Sequence, residues 1–411
     1  MSASLADVRV WDADDPLREA GSRFVRPDGL IYLDGNSLGA APVAVRDRID
    51  AAVTQEWAQG LVRSWNGADW IGAPARIGGK IARLIGAQPN EVVVADSTSV
   101  NLFKLMAAAL THQAPRVAIL TEPGEFPTDL YVAQGLAALL PGAALRSAPA
   151  DRLLQAIDAD VAVVLLTHVH YRSGERRDMA AMTARARQAG ALVVWDLSHS
   201  AGALAVDLAA AGAELAVGCG YKYLNGGPGA PAWLFVAERL QAELASPITG
   251  WMGHADPFEF GDVYRPAAGM DRFLVGTPPV LSMLALECGV DQFDGVDMEV
   301  VEAKAARLCA LFIERVEDRC AGHGLQLITP REPARRGGHV SFTHPDAYAV
   351  MQALIERGVI GDFRAPDVLR CGLAPLYTRF EDVWRAVEIL SEILDAGIWR
   401  EPRYQTRARV T

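Results

Sequence analysis

Five stretches of the chain are runs of apolar residues that end in a polar or glycine-containing segment: EVVVAD from Glu91, RVAILTE from Arg116, VAVVLLTHV from Val161, ALVVWDL from Ala191 and AWLFVAE from Ala232. A continuous apolar run, in place of strict alternation, is what a strand covered on both faces requires. Alanine-rich helical stretches such as DMAAMTARARQAG from Asp178 intervene. Strands alternating with helices predict an α/β fold whose mostly parallel sheet carries helices on both faces. From about Glu287 the pattern changes to a long helix through VEAKAARLCALFIERV, then HVSFTH, a helix from Asp346 and the strand-like DVLRCGL. We therefore expect a large domain over 46–286, a smaller C-terminal α+β domain over 287–411, and an N-terminal arm over 1–45 that joins the small one. The polar, basic tail after Trp399 is expected to be poorly ordered.

Composition narrows the class. The 411 residues are 51% hydrophobic and 22% charged, which describes an ordered globular enzyme-sized chain. A formal net charge of −11 argues against nucleic acid, whose phosphates demand clustered Lys and Arg. Cys219, Cys288, Cys309, Cys320 and Cys371 show no CxxC pair or zinc spacing and read as reduced thiols. The start MSASLADVRVWDADDP lacks the apolar segment of a secretory signal, and no run is long enough to span a membrane. A cytoplasmic protein with no membrane partner is expected.

The chemistry begins at GCGYKYLNGGPG from Gly218, where Lys222 stands between two tyrosines in glycine-rich chain. A buried lysine amine is a nucleophile able to hold an aldehyde cofactor as a Schiff base, and glycines let backbone approach a bulky ligand. Upstream, Asp196 falls at the carboxyl end of the strand Ala191–Trp195, the end at which open α/β sheets bind ligands. Pyridoxal 5′-phosphate needs a carboxylate against its pyridinium nitrogen, and Asp196 suits it, although an Asp there also caps turns. His199 could stack on or bond to the same ring. Ser97, Thr98 and Ser99 precede an apolar helix and offer hydroxyls and free N–H groups to a phosphate, or simply an N-cap. Phe126 could stack on the ring or plug the core, and Asp129 could meet a polar cofactor edge. Thr167 is a further polar contact. His168 and His170 are expected on one face of a strand, but without further ligands nearby no metal is expected.

These residues sit within motifs that together resemble the kynureninase family: YLDGNSLG from Tyr32, DSTSVNLFK from Asp96, FPTD from Phe126, WDLSHSAGA from Trp195, the Lys222 segment, GWMGH from Gly250, GTPP from Gly276 and LRCGLAPLY from Leu369. The resemblance runs nearly end to end and implies the pyridoxal-phosphate-dependent transferase fold of type I. It implies that Lys222 binds the cofactor and acts as general base, that Asp196 meets the ring nitrogen and that Phe126 stacks. Thr98, Ser99, Asp129, Thr167, His199 and Tyr221 would complete the cradle, with Tyr221 relaying a proton. Trp251 and Thr277 would reach the phosphate from the partner subunit of a homodimer. Arg370 would grip the substrate α-carboxylate, an assignment that bidentate guanidinium geometry favours, although a structural ion pair is the alternative. The implied reaction is hydrolysis of L-kynurenine to anthranilate and L-alanine. Asn36, Ser37 and Trp65 or Trp70 would wall the aromatic pocket, and a tryptophan there favours plain kynurenine over its 3-hydroxy form. Two alternatives remain at this point: a cysteine desulfurase or aminotransferase of the same fold, for which Cys371 is the nearest thiol, and a non-catalytic scaffold.

Overall fold

The computed structural model describes residues 4–407. Seven strands form the central sheet: β1 Val92–Val94, β2 Ala118–Thr121, β3 Ala144–Ser147, β4 Val161–Thr167, β5 Leu192–Asp196, β6 Leu215–Gly218 and β7 Trp233–Val236. Their order across the sheet is β1-β7-β6-β5-β4-β2-β3, and only β7 runs against its neighbours. Every residue of β4 and β5 is buried, as their unbroken apolar runs require. Alternate residues point to opposite faces: Val164, Leu166, Val193 and Trp195 join one core, and Leu165, Leu192 and Val194 the other. The first core is closed by the helices Ala73–Leu84, Met179–Ala189 and Val280–Val290, the second by Thr98–His112 and Pro127–Leu139.

Two of these strands have no counterpart among the five runs. Strand β3 is an edge strand with no buried residue, so it has no apolar signature, and β6 is four residues between glycine-rich turns. His168 and His170 lie beyond the last residue of β4 and diverge: the His168 ring meets Trp195 edge-on, while His170 Nε2 bonds Gly124 O at 2.8 Å.

A second, antiparallel sheet is built from β8 Gln326–Leu327, β9 His339–Thr343, β10 Asp362–Arg364 and β11 Val368–Gly372, in the order β10-β11-β9-β8. The helices Met298–Arg319, Ala347–Glu356 and Phe380–Asp395 cover it and share its core with Val8 and Leu33 from the N-terminal segment. That segment is tied down again where Ile31–Tyr32 pairs in parallel with Val359–Ile360. The tail departs from expectation: Pro402–Gln405 forms a helical turn with Tyr404 buried, and Thr406 O accepts from the Tyr348 hydroxyl at 3.1 Å. Residues 408–411 lie outside the described residues. Among the described residues no helix is long and apolar enough to cross a membrane.

Candidate active site

The carboxyl ends of the parallel strands carry the site. Asp196 ends β5 directly across from Thr167, which ends β4, and the chain leaving β6 reaches Lys222 four residues after Gly218. The Lys222 segment is held from above by the N-terminal motif. Gly39 N donates to Tyr221 O at 2.8 Å, and a Cβ on Gly39 would stand 2.3 Å from Lys222 O, so only glycine permits that approach.

Lys222 is buried, with Nζ 3.0 Å from His199 Nε2 and 5.6 and 5.8 Å from the ring centres of Phe126 and Tyr221. Beside it two carboxylates share a buried space. One Asp196 oxygen accepts from Ser198 N at 2.7 Å, so it does serve the turn. Both oxygens of Asp129, third residue of the helix Pro127–Leu139, are buried without a partner. Burial, then the negative charges of Asp196 and Glu125, push the Asp129 carboxyl well above the usual carboxylate range, and burial raises Asp196 too. A buried acid pair with an unpartnered member calls for a cationic N–H, which is what a pyridinium nitrogen presents. Thr167 is held from behind: its hydroxyl lies 2.5 Å from Glu125 Oε2, and Arg177 Nη2 donates to Glu125 Oε1 at 3.0 Å. Burial outweighs Arg177 and raises the Glu125 carboxyl to about 7.

The helix Thr98–His112 begins beside this group, its cap residue Ser97 lining one cavity with Tyr221. Ser97 is its N-cap, its hydroxyl accepting from Val100 N at 3.3 Å, which leaves the first N–H groups at Thr98 and Ser99 without intrahelical partners. The turn is anchored by Lys104, fully buried, whose Nζ bonds Asp96 Oδ2 and Phe273 O at 2.7 Å each. A cavity of about 500 Å³ lined by Asp96, Ser97, Tyr221 and Gly229 opens here. The Cys219 thiol, burial and Asp196 push the Tyr221 hydroxyl up, so it stays protonated at neutral pH. An anion-ready helix start, a flanking ring, a buried amine and an acid pair fit pyridoxal phosphate part for part.

Arg370 lies on β11 with Asp362 as its cross-strand neighbour on β10. Nε and Nη2 donate to the two Asp362 oxygens at 2.8 and 2.5 Å, Nη2 also to Ser37 Oγ at 3.0 Å, and Nη1 to Tyr171 O at 2.5 Å. Arg364 Nη2 joins the same Asp362 oxygen at 2.6 Å and Ser37 Oγ at 3.0 Å. Burial raises Asp362, but the two guanidiniums and the Ser37 hydroxyl outweigh it and hold the carboxyl at about 2. Asp34, half-buried, is pushed the other way, to about 7, by its desolvation and then by the negative charge of Asp362. Asn36 and Ser37, expected as pocket walls, are both bonded to Arg370. Ser37 belongs to this ion cluster, and Asn36, fully buried, accepts from Arg370 Nε at 2.9 Å when its amide is turned to satisfy both ends. Sequence reasoning missed Asp362, Arg364 and Glu125; the only available signal was the charged GDFRAPD segment beside LRCGL.

Trp65, Trp251 and Thr277 stand apart from this group. Trp65 packs edge-on against Trp70 at 5.7 Å, and Trp70 Nε1 donates to Glu56. Trp251 meets Phe258 edge-on in a loop where Phe260 is 76% and Val263 75% exposed, and Thr277 is exposed.

The fold and this lysine–aspartate site define a pyridoxal-phosphate-dependent enzyme. The fold is shared with the lyase C-DES, solved with glycine covalently linked to its PLP cofactor (TM-score 0.77, 19% identity, 89% of this chain and 97% of that one). It is shared equally with the cysteine desulfurase CsdA of Escherichia coli (TM-score 0.75, 19% identity, 92% and 98%). The chain itself belongs to the kynureninase family. It is 52% identical to the kynureninases of Pseudomonas fluorescens and Burkholderia mallei over 98% of its length and 99% of theirs, and residues 301–390 match the kynureninase C-terminal domain.

Proposed function

We propose that the chain hydrolyses the Cβ–Cγ bond of L-kynurenine, releasing anthranilate and L-alanine. The observation that carries this reading is Lys222: a buried amine between Phe126 and Tyr221, beside a buried acid pair, in a chain of this family. Pyridoxal phosphate, when bound, supplies an electron sink for negative charge developing at the substrate carbons. Lys222 would hold it covalently, Asp196 and Asp129 would meet its ring nitrogen, Phe126 would cover the ring, and the N–H groups of Thr98 and Ser99 would receive the phosphate.

Once released by substrate, the Lys222 amine takes the Cα proton and returns it further along, as general base and then acid. Tyr221, kept protonated, donates a proton in the later steps. Arg370 and Arg364 outnumber the low-pKa Asp362 between them, and the surplus positive charge receives the α-carboxylate. The exposed aromatic loop carrying Trp251 supports a homodimer in which each subunit completes the other's phosphate site. A cytoplasmic location goes with this reading. Cys371 is buried, and burial pushes its thiol up, which speaks against a desulfurase nucleophile.

Reconstitution with pyridoxal phosphate should give a yellow protein that releases fluorescent anthranilate from kynurenine. Lys222→Ala should lower that rate by about 10³-fold or more while leaving the circular dichroism unchanged. A yellow wild type that releases no anthranilate overturns the reading.

A further inference from the structure

Lys104 stands in the helix Thr98–His112 with none of its side chain exposed. Burial works against an ammonium in that place and lowers its pKa, and the Asp96 carboxylate opposes the effect by charge and by hydrogen bond. Nζ donates to Asp96 Oδ2 and to Phe273 O at 2.7 Å each, the side chain leaning back toward the helix start as helical side chains do. Asp96 is the residue that joins β1 to this helix, and its φ of +50° is a left-handed backbone that Asp tolerates better than most side chains. Its side chain is 30% exposed and lines the cavity of about 500 Å³ beside Ser97. Among the described residues lining that cavity, Asp96 and Tyr221 are the titratable ones, and the Tyr221 hydroxyl stays protonated. The cavity wall is therefore in conflict with itself. A helix start favours an anion, whereas a lone carboxylate would repel a phosphate that carries about two negative charges at neutral pH.

We propose that Lys104 is a positioning residue for the cofactor phosphate, its ammonium cancelling the Asp96 carboxylate at the cavity wall and holding Asp96 in the turn from which the helix starts. Lys104 is not among the residues that line the cavity, so it acts through Asp96 and not by touching the phosphate. A buried charge is screened little by salt, and its influence reaches the cavity through protein of low dielectric. Cancellation makes the two members of the pair unequal. An ion pair that only braced the turn would need both, whereas here loss of the Lys104 charge is harmful and loss of the Asp96 charge is not. The inference rests on the reading of this cavity as the phosphate end of a pyridoxal phosphate site.

The test is equilibrium binding of pyridoxal phosphate, and of pyridoxal, which lacks the phosphate, to the full-length protein freed of cofactor, followed by visible absorbance. Lys104→Met should raise Kd for pyridoxal phosphate by about tenfold or more and leave Kd for pyridoxal within about twofold of wild type. Asp96→Asn, which keeps the left-handed turn, should bind pyridoxal phosphate at least as tightly as wild type does. Lys104→Met combined with Asp96→Asn should return close to the wild-type Kd. A Lys104→Met protein that holds pyridoxal phosphate as well as wild type, or loses affinity for both compounds alike, overturns the proposal. So does an Asp96→Asn protein with weakened pyridoxal phosphate binding, and that variant decides the matter should Lys104→Met fail to fold. Either failure, with a wild type that still binds pyridoxal phosphate and releases anthranilate, leaves the proposed function standing. A wild type that binds pyridoxal phosphate no better than pyridoxal removes the phosphate site itself.

Discussion

Arg370 is paired with Asp362 and, on the function proposed above, also receives the substrate carboxylate, and the two duties pull a substitution in different directions. It binds Asp362 through two hydrogen bonds in a buried pair, and removing one member of such a pair costs about 3–5 kcal/mol because the other charge is stranded. Arg364 remains to share that carboxylate, so the loss belongs at the low end of the range. Arg370→Ala should therefore both lower the urea midpoint and raise KM for kynurenine by about tenfold or more. Replacing both members, Arg370→Leu with Asp362→Leu, should recover stability without recovering KM, because an apolar pair needs no counter-charge but cannot receive a carboxylate. Denaturation curves and steady-state kinetics on the three proteins separate the duties. An unchanged KM in Arg370→Ala would remove the carboxylate assignment.

At the scale of the element, the buried Glu125 ties the loop after β2 to the end of β4 through Thr167. Its carboxyl is raised from 4.5 to about 7, so between those values the folded protein holds a proton that the unfolded chain has released. Its contribution to stability is thus greatest below pH 4.5 and is lost as pH rises toward 7, with no further change above. Glu125→Gln lacks this term. The stability difference, wild type minus variant, should fall through that window and then level off, as read from denaturant midpoints at half-unit pH steps; parallel curves would reject the assignment.

Elements also explain what could be read from the chain. Asp196, Thr167 and Phe126 end or follow strands whose apolar runs are plain, so their convergence was expected from topology, whereas Lys222 follows β6, which has no such run, and was legible from its glycine-rich segment. Glu125, Asp362 and Arg364 are ordinary residues in the linear text. Their meaning comes from a neighbour across the sheet, such as Asp362 opposite Arg370. Strand β3 escaped because an edge strand need not be apolar.

For the whole molecule, the loop around Trp251, Phe258, Phe260 and Val263 sets exposed apolar side chains side by side, the three aromatic rings meeting edge to edge. On the homodimer proposed above, Phe258→Asp with Phe260→Asp should shift sedimentation from dimer to monomer, and the monomer should retain pyridoxal phosphate more weakly. A variant that sediments as wild type would place the subunit contact elsewhere.

All five cysteines are buried, and burial pushes the thiols of Cys219, Cys288, Cys309, Cys320 and Cys371 up from their ordinary value. The native protein is in effect already a cysteine-free background for bioconjugation. A single thiol engineered onto its surface would be the one handle a maleimide dye finds, with no silent substitutions needed beforehand.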